Sequence, residues 1–261
     1  MLIFDNLVAF AFVFVYNFGM NFFVNSDQIE NGVIYIRNGD VNHIKNVLRK
    51  NVGDVIDVVS DGCKYRAEIA ELGQNVVRCL AVDEKKFEAD DFKLTFFQGL
   101  AKADKIEYII QKCTELGVYE VVPVEMKRCV VRLDGKDKVK KLERWSKIAE
   151  VASKQSLRND ILRINRILSF SDMCIAIDKY DCVILAYEKE KNVTLKSVVR
   201  EKINNYNNVA VIIGPEGGID DEEAKLLKEK GAKLVSLGKR ILRTETAPVA
   251  IASIIMYEIG E

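Results

Sequence analysis

A glycine-rich turn near the C-terminus, Gly214-Pro215-Glu216-Gly217-Gly218, follows directly on the apolar run Val209–Ile213. Asp220 comes shortly after it and starts a segment with the pattern of a helix, so this stretch predicts a strand, a turn and a helix. Open α/β sheets bind ligands at the carboxyl ends of their strands, where turns of this kind lie. The sequence therefore predicts an α/β domain with a ligand site at this turn.

The charge around the turn restricts the kind of ligand. No Lys or Arg occurs between Ile203 and Ala224. A helix N-terminus favours anions, but a phosphate here would face like charge. A zwitterionic or cationic ligand such as S-adenosylmethionine, which carries a sulfonium, is compatible. The carboxylates that create this acidic environment are Glu216, Asp220, Asp221, Glu222 and Glu223.

A second motif, Leu237-Gly238-Lys239-Arg240-Ile241-Leu242-Arg243-Thr244-Glu245-Thr246-Ala247, follows this helix. Together with the glycine turn it resembles the signature of the bacterial 16S ribosomal RNA uracil-N3-methyltransferases, a family of the SPOUT class. The resemblance extends from about Phe22 to the C-terminus. It implies an α/β-knot SPOUT methyltransferase domain preceded by a small PUA/OB-like β-barrel domain. The trefoil knot is expected from the resemblance alone.

The pattern of strands and helices predicts where the two domains meet. Short strand-like runs between Gly32 and Val82, interrupted by one helix over Asp40–Lys50, favour a small β-barrel. The charged run Asp83–Asp91 is typical of a linker, and after it strands and helices alternate as in a mostly parallel sheet. We predict an N-terminal RNA-binding β-barrel domain over residues 1–88 and a methyltransferase domain over residues 89–261.

The first residues do not fit this scheme. Leu7–Tyr16 is an unbroken apolar run, too short for a membrane span and without the basic leader of a signal peptide. The sequence that resembles the family begins at Met20. We therefore predict that translation starts at Met20 and that residues 1–19 are absent from the native protein, which an intact-mass measurement checks.

In the resembling family three loops hold S-adenosylmethionine. The glycines of these loops permit close approach of the main chain, and we expect a side chain at Gly217 to occupy space that the cofactor needs. Gly217-Gly218 can also be read as a plain strand-to-helix turn, and Thr246 with Pro248 as a helix start. The predicted cofactor-binding residues are Leu185, Ala186, Tyr187, Gly214, Pro215, Glu216, Gly217, Gly218, Leu237, Gly238, Ile241, Leu242, Arg243, Thr246 and Ala247.

The expected nucleophile, N3 of uridine, is a weakly acidic imide that reacts after losing its proton. Arg243 is expected to stabilise the charge that develops on the base. Glu245 or Glu216 is expected to take the proton or orient the base, and the sequence does not choose between them. A salt bridge from Arg243 to either carboxylate is the structural alternative.

A basic stretch is the expected RNA-binding surface. Residues 125–166 contain 13 Lys or Arg against 6 Asp or Glu, although a solvated helix face would have the same composition. Gln155 and Arg158 match the family's Gln-Ser-x-Arg element, but Leu162 stands where relatives commonly have proline. Simple helix packing is the alternative for His43. The predicted RNA-binding residues are His43, Arg49, Arg128, Arg132, Gln155 and Arg158.

Composition excludes several other classes. Six cysteines without a C-x-x-C pair and a single histidine argue against a zinc site, so we expect no metal and free thiols in the cytoplasm. The family resemblance implies an rRNA methyltransferase that acts as a homodimer on small-subunit ribosomal RNA, away from membranes. The alternatives are a non-catalytic RNA-binding protein with a degenerate SPOUT domain and a nucleotide-phosphate enzyme. The latter is disfavoured because there is no Gly-Lys-Ser/Thr motif.

Overall fold

The structure, a computed structural model, describes residues 20–88 and 90–260, which form two compact units. The N-terminal unit contains residues 20–88 together with Lys154–Asp160, and the C-terminal unit contains the rest. The predicted alternative start concerns residues 1–19, which lie outside the described residues. Within the described residues no helix is both long and apolar enough to cross a membrane.

The N-terminal unit is built on a six-stranded sheet in the order β1-β4-β5-β6-β3-β2, in which only the β1–β4 pair is parallel. Its core includes Phe22, Ile34, Val58 and Ile69, all nearly inaccessible to solvent. The strands are β1 (Asn21–Phe23), β2 (Ile29–Glu30), β3 (Val33–Arg37), β4 (Val55–Ser60), β5 (Cys63–Leu72) and β6 (Val76–Lys86). The helical segments are a 3-10 turn (Ser26–Gln28) and α1 (Gly39–Asn42), which continues as one turn of π-helix (His43–Val47).

Two sequence-based expectations about this unit need correction. Asp83–Lys86 was expected to belong to the linker, but it extends β6 and pairs with Cys63–Arg66 of β5. The charged side chains are compatible with a strand because this end of the hairpin is largely exposed to water. The predicted boundary after residue 88 assigns Lys154–Asp160 to the second domain, whereas these residues pack with the first.

Two polar contacts account for the position of that segment. The Lys154 ammonium is buried and lies 2.8 Å from Oδ1 of Asp40. The Asn21 side chain, also buried, donates a hydrogen bond from Nδ2 to the Arg158 carbonyl oxygen at 2.7 Å. A buried charge is stable only when it is paired, so the segment contributes an essential part of this unit.

The C-terminal unit is a parallel sheet in the order β10-β8-β7-β12-β11-β13, with β9 paired to β8. Its strands are β7 (Lys93–Gly99), β8 (Glu120–Glu125), β9 (Arg163–Ile164), β10 (Leu168–Ser169), β11 (Cys182–Ala186), β12 (Asn208–Ile213) and β13 (Lys233–Val235). Its helices are α2 (Ala103–Glu115), α3 (Gly135–Gln155, with its last two residues in the N-terminal unit), α4 (Phe170–Ala176), α5 (Leu195–Lys202), α6 (Asp221–Glu229) and α7 (Thr246–Ile259). Two 3-10 turns, Ile177–Lys179 and Ile203–Asn205, complete it.

The central strand β12 explains why the sequence pattern was readable. Val209–Ile213 is buried throughout, as in strands of parallel sheets that are covered on both faces. Asp220 caps α6 by accepting a hydrogen bond from the Glu222 amide, and Gly231 follows the helix with φ of +91°. The strand, turn and helix predicted around the glycine-rich turn are therefore confirmed. The trefoil knot stays a prediction.

Candidate active site

A cavity of about 420 Å³ lies at the carboxyl ends of β11, β12 and β13. Because these strands are parallel neighbours, the loops that follow them meet at one edge of the sheet. The cavity is lined by Lys105, Ala186, Tyr187, Glu188, Ile213, Gly214, Pro215, Glu216, Gly217, Gly218, Ser236, Leu237, Gly238, Arg240, Ile241, Leu242, Arg243, Thr244 and Ala247.

The structure brings together most of the residues predicted to form the cofactor site. Leu185 is an exception, because it is fully buried in the core rather than in the cavity wall. Thr246 also does not line the cavity; it is the first residue of α7 and is exposed. Motif letters do not distinguish residues that face a cavity from residues that support it, and the assignment of these two residues to the cofactor stays a prediction.

Two of the loops are joined by a short chain of hydrogen bonds. The Thr244 hydroxyl, which is buried, donates to the Gly214 carbonyl oxygen at 2.7 Å. The Thr244 Oγ1 atom itself accepts a hydrogen bond from Gln98 Nε2 at 2.9 Å, and Gln98 is completely buried at the end of β7. Buried polar groups of this kind are stable only when they are hydrogen-bonded, so the arrangement fixes the spacing of the loops.

The cavity contains a lysine that the sequence analysis missed. Lys105, in the first turns of α2, has its ammonium 3.4 Å from Glu216 Oε1 and 3.3 Å from Glu245 Oε2. Glu216 Oε1 also accepts a hydrogen bond from the Lys102 amide at 3.1 Å. Glu245 does not itself line the cavity, although it was predicted to be catalytic, and it reaches the site through Lys105.

The three charges stabilise one another. Partial burial opposes ionisation of Glu216, but the Lys102 amide and the charge of Lys105 outweigh it and lower the pKa of this carboxyl. Burial likewise opposes the charge of Lys105, whereas its hydrogen bond with Glu245 and the charges of both carboxylates raise its pKa. Glu216 is therefore a weak base, and Lys105 remains cationic over the physiological range.

Arg243 is differently placed. Its side chain is 81% exposed, and its guanidinium lies 3.9 Å from Glu245 Oε1, at the outer limit of a salt bridge. An exposed pair at this distance has little stabilising effect. Arg243 is thus available to a ligand that enters the cavity, and the salt-bridge alternative explains little of its position.

Two positions of the turn favour glycine for different reasons. A Cβ on Gly217 would lie 2.9 Å from the Arg128 carbonyl oxygen, which belongs to the main chain, whereas one on Gly218 would meet only the movable carboxylate end of Glu188. Gly218 also has φ of +72°, which disfavours other residues. The expectation that a Gly217 side chain would occupy cofactor space is corrected: it would collide with the main chain of Arg128.

Tyr187, one of the predicted cofactor-binding residues, is held by a carboxylate at the N-terminus of α6. The Tyr187 hydroxyl donates a hydrogen bond to Asp221 Oδ1 at 2.7 Å. Burial, together with this bond and the negative charge of Asp221, raises the pKa of Tyr187 to about 12. The phenol therefore remains protonated and acts as a hydrogen-bond donor.

The carboxylates at the N-terminus of α6 also pair with two residues of the basic stretch 125–166. Arg128 lies 3.4 Å from Asp220 Oδ2, and the Lys127 ammonium lies 3.0 Å from Asp220 Oδ1 and 2.7 Å from Glu222 Oε2. Arg132 is exposed and donates to the Lys127 carbonyl oxygen at 3.3 Å. Sequence counts of charge do not reveal such pairing, because the acidic partners lie far along the chain.

The other predicted RNA-binding residues belong to the N-terminal unit. The His43 ring packs edge-on against Phe22, with centroids 6.4 Å apart, which agrees with the packing alternative. Arg49 is exposed, with φ of +52°. Gln155 is exposed at the end of α3, whereas the Arg158 side chain is mostly buried and pairs with Asp160 at 2.8 Å.

Over residues 20–88 and 90–260, no three His, Cys, Asp or Glu side chains are grouped so as to hold a metal ion. Residues 88–256 match the family of RNA methyltransferase domains. Residues 36–77 match the RNA methyltransferase PUA domain.

Named relatives cover nearly the whole chain. Ribosomal RNA small subunit methyltransferase E of Bacillus subtilis is 36% identical, over 90% of this chain and 94% of its own. The protein of the same name in Mesomycoplasma hyopneumoniae is 34% identical, over 87% of this chain and 95% of its own.

Solved structures are similar over the same extent. One is ribosomal RNA small subunit methyltransferase E from Neisseria gonorrhoeae bound to S-adenosylmethionine, with a TM-score of 0.78, 26% identity and coverage of 92% of this chain and 98% of that one. A Legionella pneumophila protein solved with bound S-adenosylmethionine has a TM-score of 0.81, 25% identity and the same coverage. The family predicted from the two motifs is confirmed. Because a family model matches residues 88–256 and a named relative is 36% identical over 90% of this chain, the chain belongs to the RNA methyltransferase family that includes ribosomal RNA small subunit methyltransferase E.

Proposed function

We propose that this protein transfers a methyl group from S-adenosylmethionine to N3 of a specific uridine in 16S ribosomal RNA. The observation that supports it best is the cavity formed by both C-terminal motifs at the carboxyl edge of the sheet. Such a substrate places the protein in the cytoplasm.

The residues around the cavity suit this cofactor. Its volume of about 420 Å³ lies within the range of ligand pockets, roughly 300–1,000 Å³. Ala186, Ile213, Leu237 and Leu242 offer apolar surface for an adenine ring, while Glu188 and Glu216 favour a positive charge. When bound, S-adenosylmethionine supplies an electrophilic methyl group on its sulfonium.

The protein's own groups then orient the uridine and stabilise the anion that forms when the N3 proton passes to solvent water. The N3 anion takes the methyl group, and the electrons of the broken bond stay on the sulfonium sulfur, which becomes a neutral thioether. N3 lies on the Watson–Crick edge, so the uridine enters the site unpaired or flipped out. Arg243, exposed beside the cavity, is placed to stabilise negative charge on a carbonyl oxygen of the base. Glu216 acts mainly by positioning, because a carboxylate of lowered pKa accepts a proton poorly. Glu245 contributes by holding the Lys105 ammonium, which lies 3.3 Å from its Oε2.

Gly217→Val is expected to weaken S-adenosylmethionine binding by about 10-fold, because the new side chain displaces the turn from Arg128. Calorimetric titration measures the affinity, and a thermal melt shows that the variant is folded. Gly135→Val is the matched control, since a Cβ at Gly135 meets nothing within 4 Å. Equal affinity in the folded Gly217 variant and wild type would show that the turn does not hold the cofactor.

We also propose that α3 presents phosphate contacts. Lys136 and Lys140 are exposed one helical turn apart, and among the described residues neither has an ion-pair partner. Arg128 and Arg132 are retained in this surface, although Asp220 reduces the effective charge of Arg128.

Lys136→Ala/Lys140→Ala should flatten the salt dependence of RNA binding by roughly one unit of slope per lost contact. Cofactor affinity should be unchanged. Lys225→Ala, which removes an exposed lysine from α6, is the control. A slope equal to that of wild type would identify α3 as a merely solvated face.

We propose that the protein is a homodimer in which a second copy covers α7. This helix has one charged residue, Glu258, and leaves Ile254 43% and Tyr257 78% exposed. Together with Ala250 they have the spacing of a single helix face. A helix that is apolar on all sides is normally covered on all sides. Light scattering should give twice the chain mass of 29.6 kDa, whereas the mass of one chain contradicts the proposal.

The decisive experiment is nucleoside mass spectrometry of 16S ribosomal RNA, incubated with the purified protein and S-adenosylmethionine. We expect 3-methyluridine at one position. RNA that binds but gains no methyl group would support the alternative of a non-catalytic RNA-binding protein.

A further inference from the structure

A second cavity, of about 400 Å³, lies within the N-terminal unit and shares no lining residue with the candidate active site. We call it the amide groove. It is formed by α1, the π-helical turn after it, and the connection between β5 and β6. Its lining residues are Asn38, Val41, Asn42, Lys45, Asn46, Gln74 and Asn75.

The chemistry of this lining is unusual. Five of its seven residues carry a side-chain amide, and all five are exposed. No residue of the lining carries a carboxylate. Val41 is buried and contributes apolar surface. An amide presents a donor beside an acceptor, which matches the edge of a nucleobase, and RNA-binding proteins read unpaired bases by such contacts.

The groove is held in shape by its own contacts. The Lys45 ammonium donates to the Gly73 carbonyl oxygen at 3.0 Å and ties the helix to the β5–β6 connection. Asn46 Nδ2 donates to Asn42 Oδ1 at 2.6 Å, which leaves Asn42 Nδ2 and Asn46 Oδ1 as a donor and an acceptor side by side. Within the described residues, the side chains of Asn38, Gln74 and Asn75 form no hydrogen bond.

Two features of the backbone also single out this groove. Asn38 has φ of +61° and ψ of −139°, a region that residues other than glycine seldom adopt. His43–Val47 forms a π-helical turn, which carries Lys45 and Asn46 to the groove, and such turns are frequent at functional sites. Strained backbone of this kind is found mainly at functional sites. Neither Asn38 nor the π-helical turn belongs to a strand of the sheet.

We propose that the amide groove binds an unpaired nucleobase of the RNA substrate, preferentially adenine. Adenine presents a donor beside an acceptor on two edges, N6 with N7 and N6 with N1, and the side-chain amide of Asn or Gln can pair bidentately with either. An unpaired cytosine offers one such edge, N4 with N3, and uracil offers a donor between two acceptors. The base would be read in the N-terminal unit, separately from the uridine that is methylated. The inference rests on the proposed RNA substrate, and it adds recognition of a second nucleotide by base contacts.

The test compares fluorescein-labelled nonaribonucleotides of adenine, cytosine and uracil, bound to the full-length protein at several salt concentrations. We expect the wild type to prefer oligoadenylate by about 10-fold. Asn42→Ala/Asn46→Ala should abolish the preference and leave the salt slope unchanged, because amides displace no counterions. Asn51→Ala, an exposed asparagine of the same unit outside the groove, should behave as wild type.

The possible outcomes separate this inference from the proposed activity. No preference in the wild type, or a preference that persists in the double variant, overturns the groove proposal. A flattened salt slope would overturn it too, because the groove would then contact phosphates. A failure of methyl transfer instead appears as unmethylated 16S RNA with every variant, whatever the base preference.

Discussion

Replacing Arg243 with alanine is expected to lower kcat by about 10²–10³-fold and to leave S-adenosylmethionine affinity nearly unchanged. The Arg243 side chain is 81% exposed, and its guanidinium lies 3.9 Å from Glu245 Oε1, at the outer limit of a salt bridge, so little structure depends on it. In our proposal it interacts with charge that exists only as the uridine loses its N3 proton. An interaction of that kind affects the rate rather than the binding of the ground state.

Single-turnover methylation of 16S RNA, together with calorimetric titration of the cofactor, separates the two effects. Arg240→Ala is the matched control, because Arg240 also lines the cavity and lies in the same loop. A defect confined to cofactor affinity would make Arg243 a cofactor-loop residue. Equal rate losses in both variants would indicate a general effect of positive charge.

Lys105→Met should lower kcat/KM by about 10²-fold, because it leaves the Glu216 and Glu245 carboxylates without their shared cation. Methionine keeps most of the side-chain volume, so the change removes charge rather than packing. Lys105→Arg should restore much of the activity. Lys112→Met, on the same helix, removes the partner of Glu115 in an exposed pair and should have little effect.

The pH dependence of stability gives an independent readout. The folded protein lowers the pKa of Glu216, so this carboxylate stabilises the fold above its ordinary pKa of about 4.3, and the stabilisation disappears as pH falls through the lowered value. Without Lys105 that contribution shrinks. The wild type should therefore have a higher Tm than Lys105→Met at pH 7, and this difference in Tm should become smaller below about pH 4. A difference that is constant with pH would assign Lys105 a packing role.

The sequence predicted the cofactor loops because their residues are contiguous and because parallel strands bring the following loops to one edge. It did not predict Lys105, which comes from a segment far upstream of Glu216. One signal was available, since Lys105 closely follows β7, whose carboxyl end lies at the same edge. No sequence motif surrounds Lys105 to identify it as part of the site.

Other errors have equally local causes. The composition of the charged run Asp83–Lys86 is typical of a linker and does not show that the run pairs with β5. Leu185 and Thr246 were expected beside the cavity but do not line it, because a motif includes supporting residues with contacting ones. The pairing of Lys127 and Arg128 with Asp220 is a tertiary interaction that no count of charges reveals.

The segment Lys154–Asp160 has a consequence for how the chain folds during synthesis. Domains of most proteins fold as units, the N-terminal one first, while the ribosome is still elongating the chain. Here Asp40 and Asn21 meet Lys154 and the Arg158 carbonyl group, which are translated more than a hundred residues later. The N-terminal unit therefore completes its structure only after β7, α2, β8 and nearly all of α3 have been synthesised, so its final folding is coupled to translation of more than a third of the C-terminal unit.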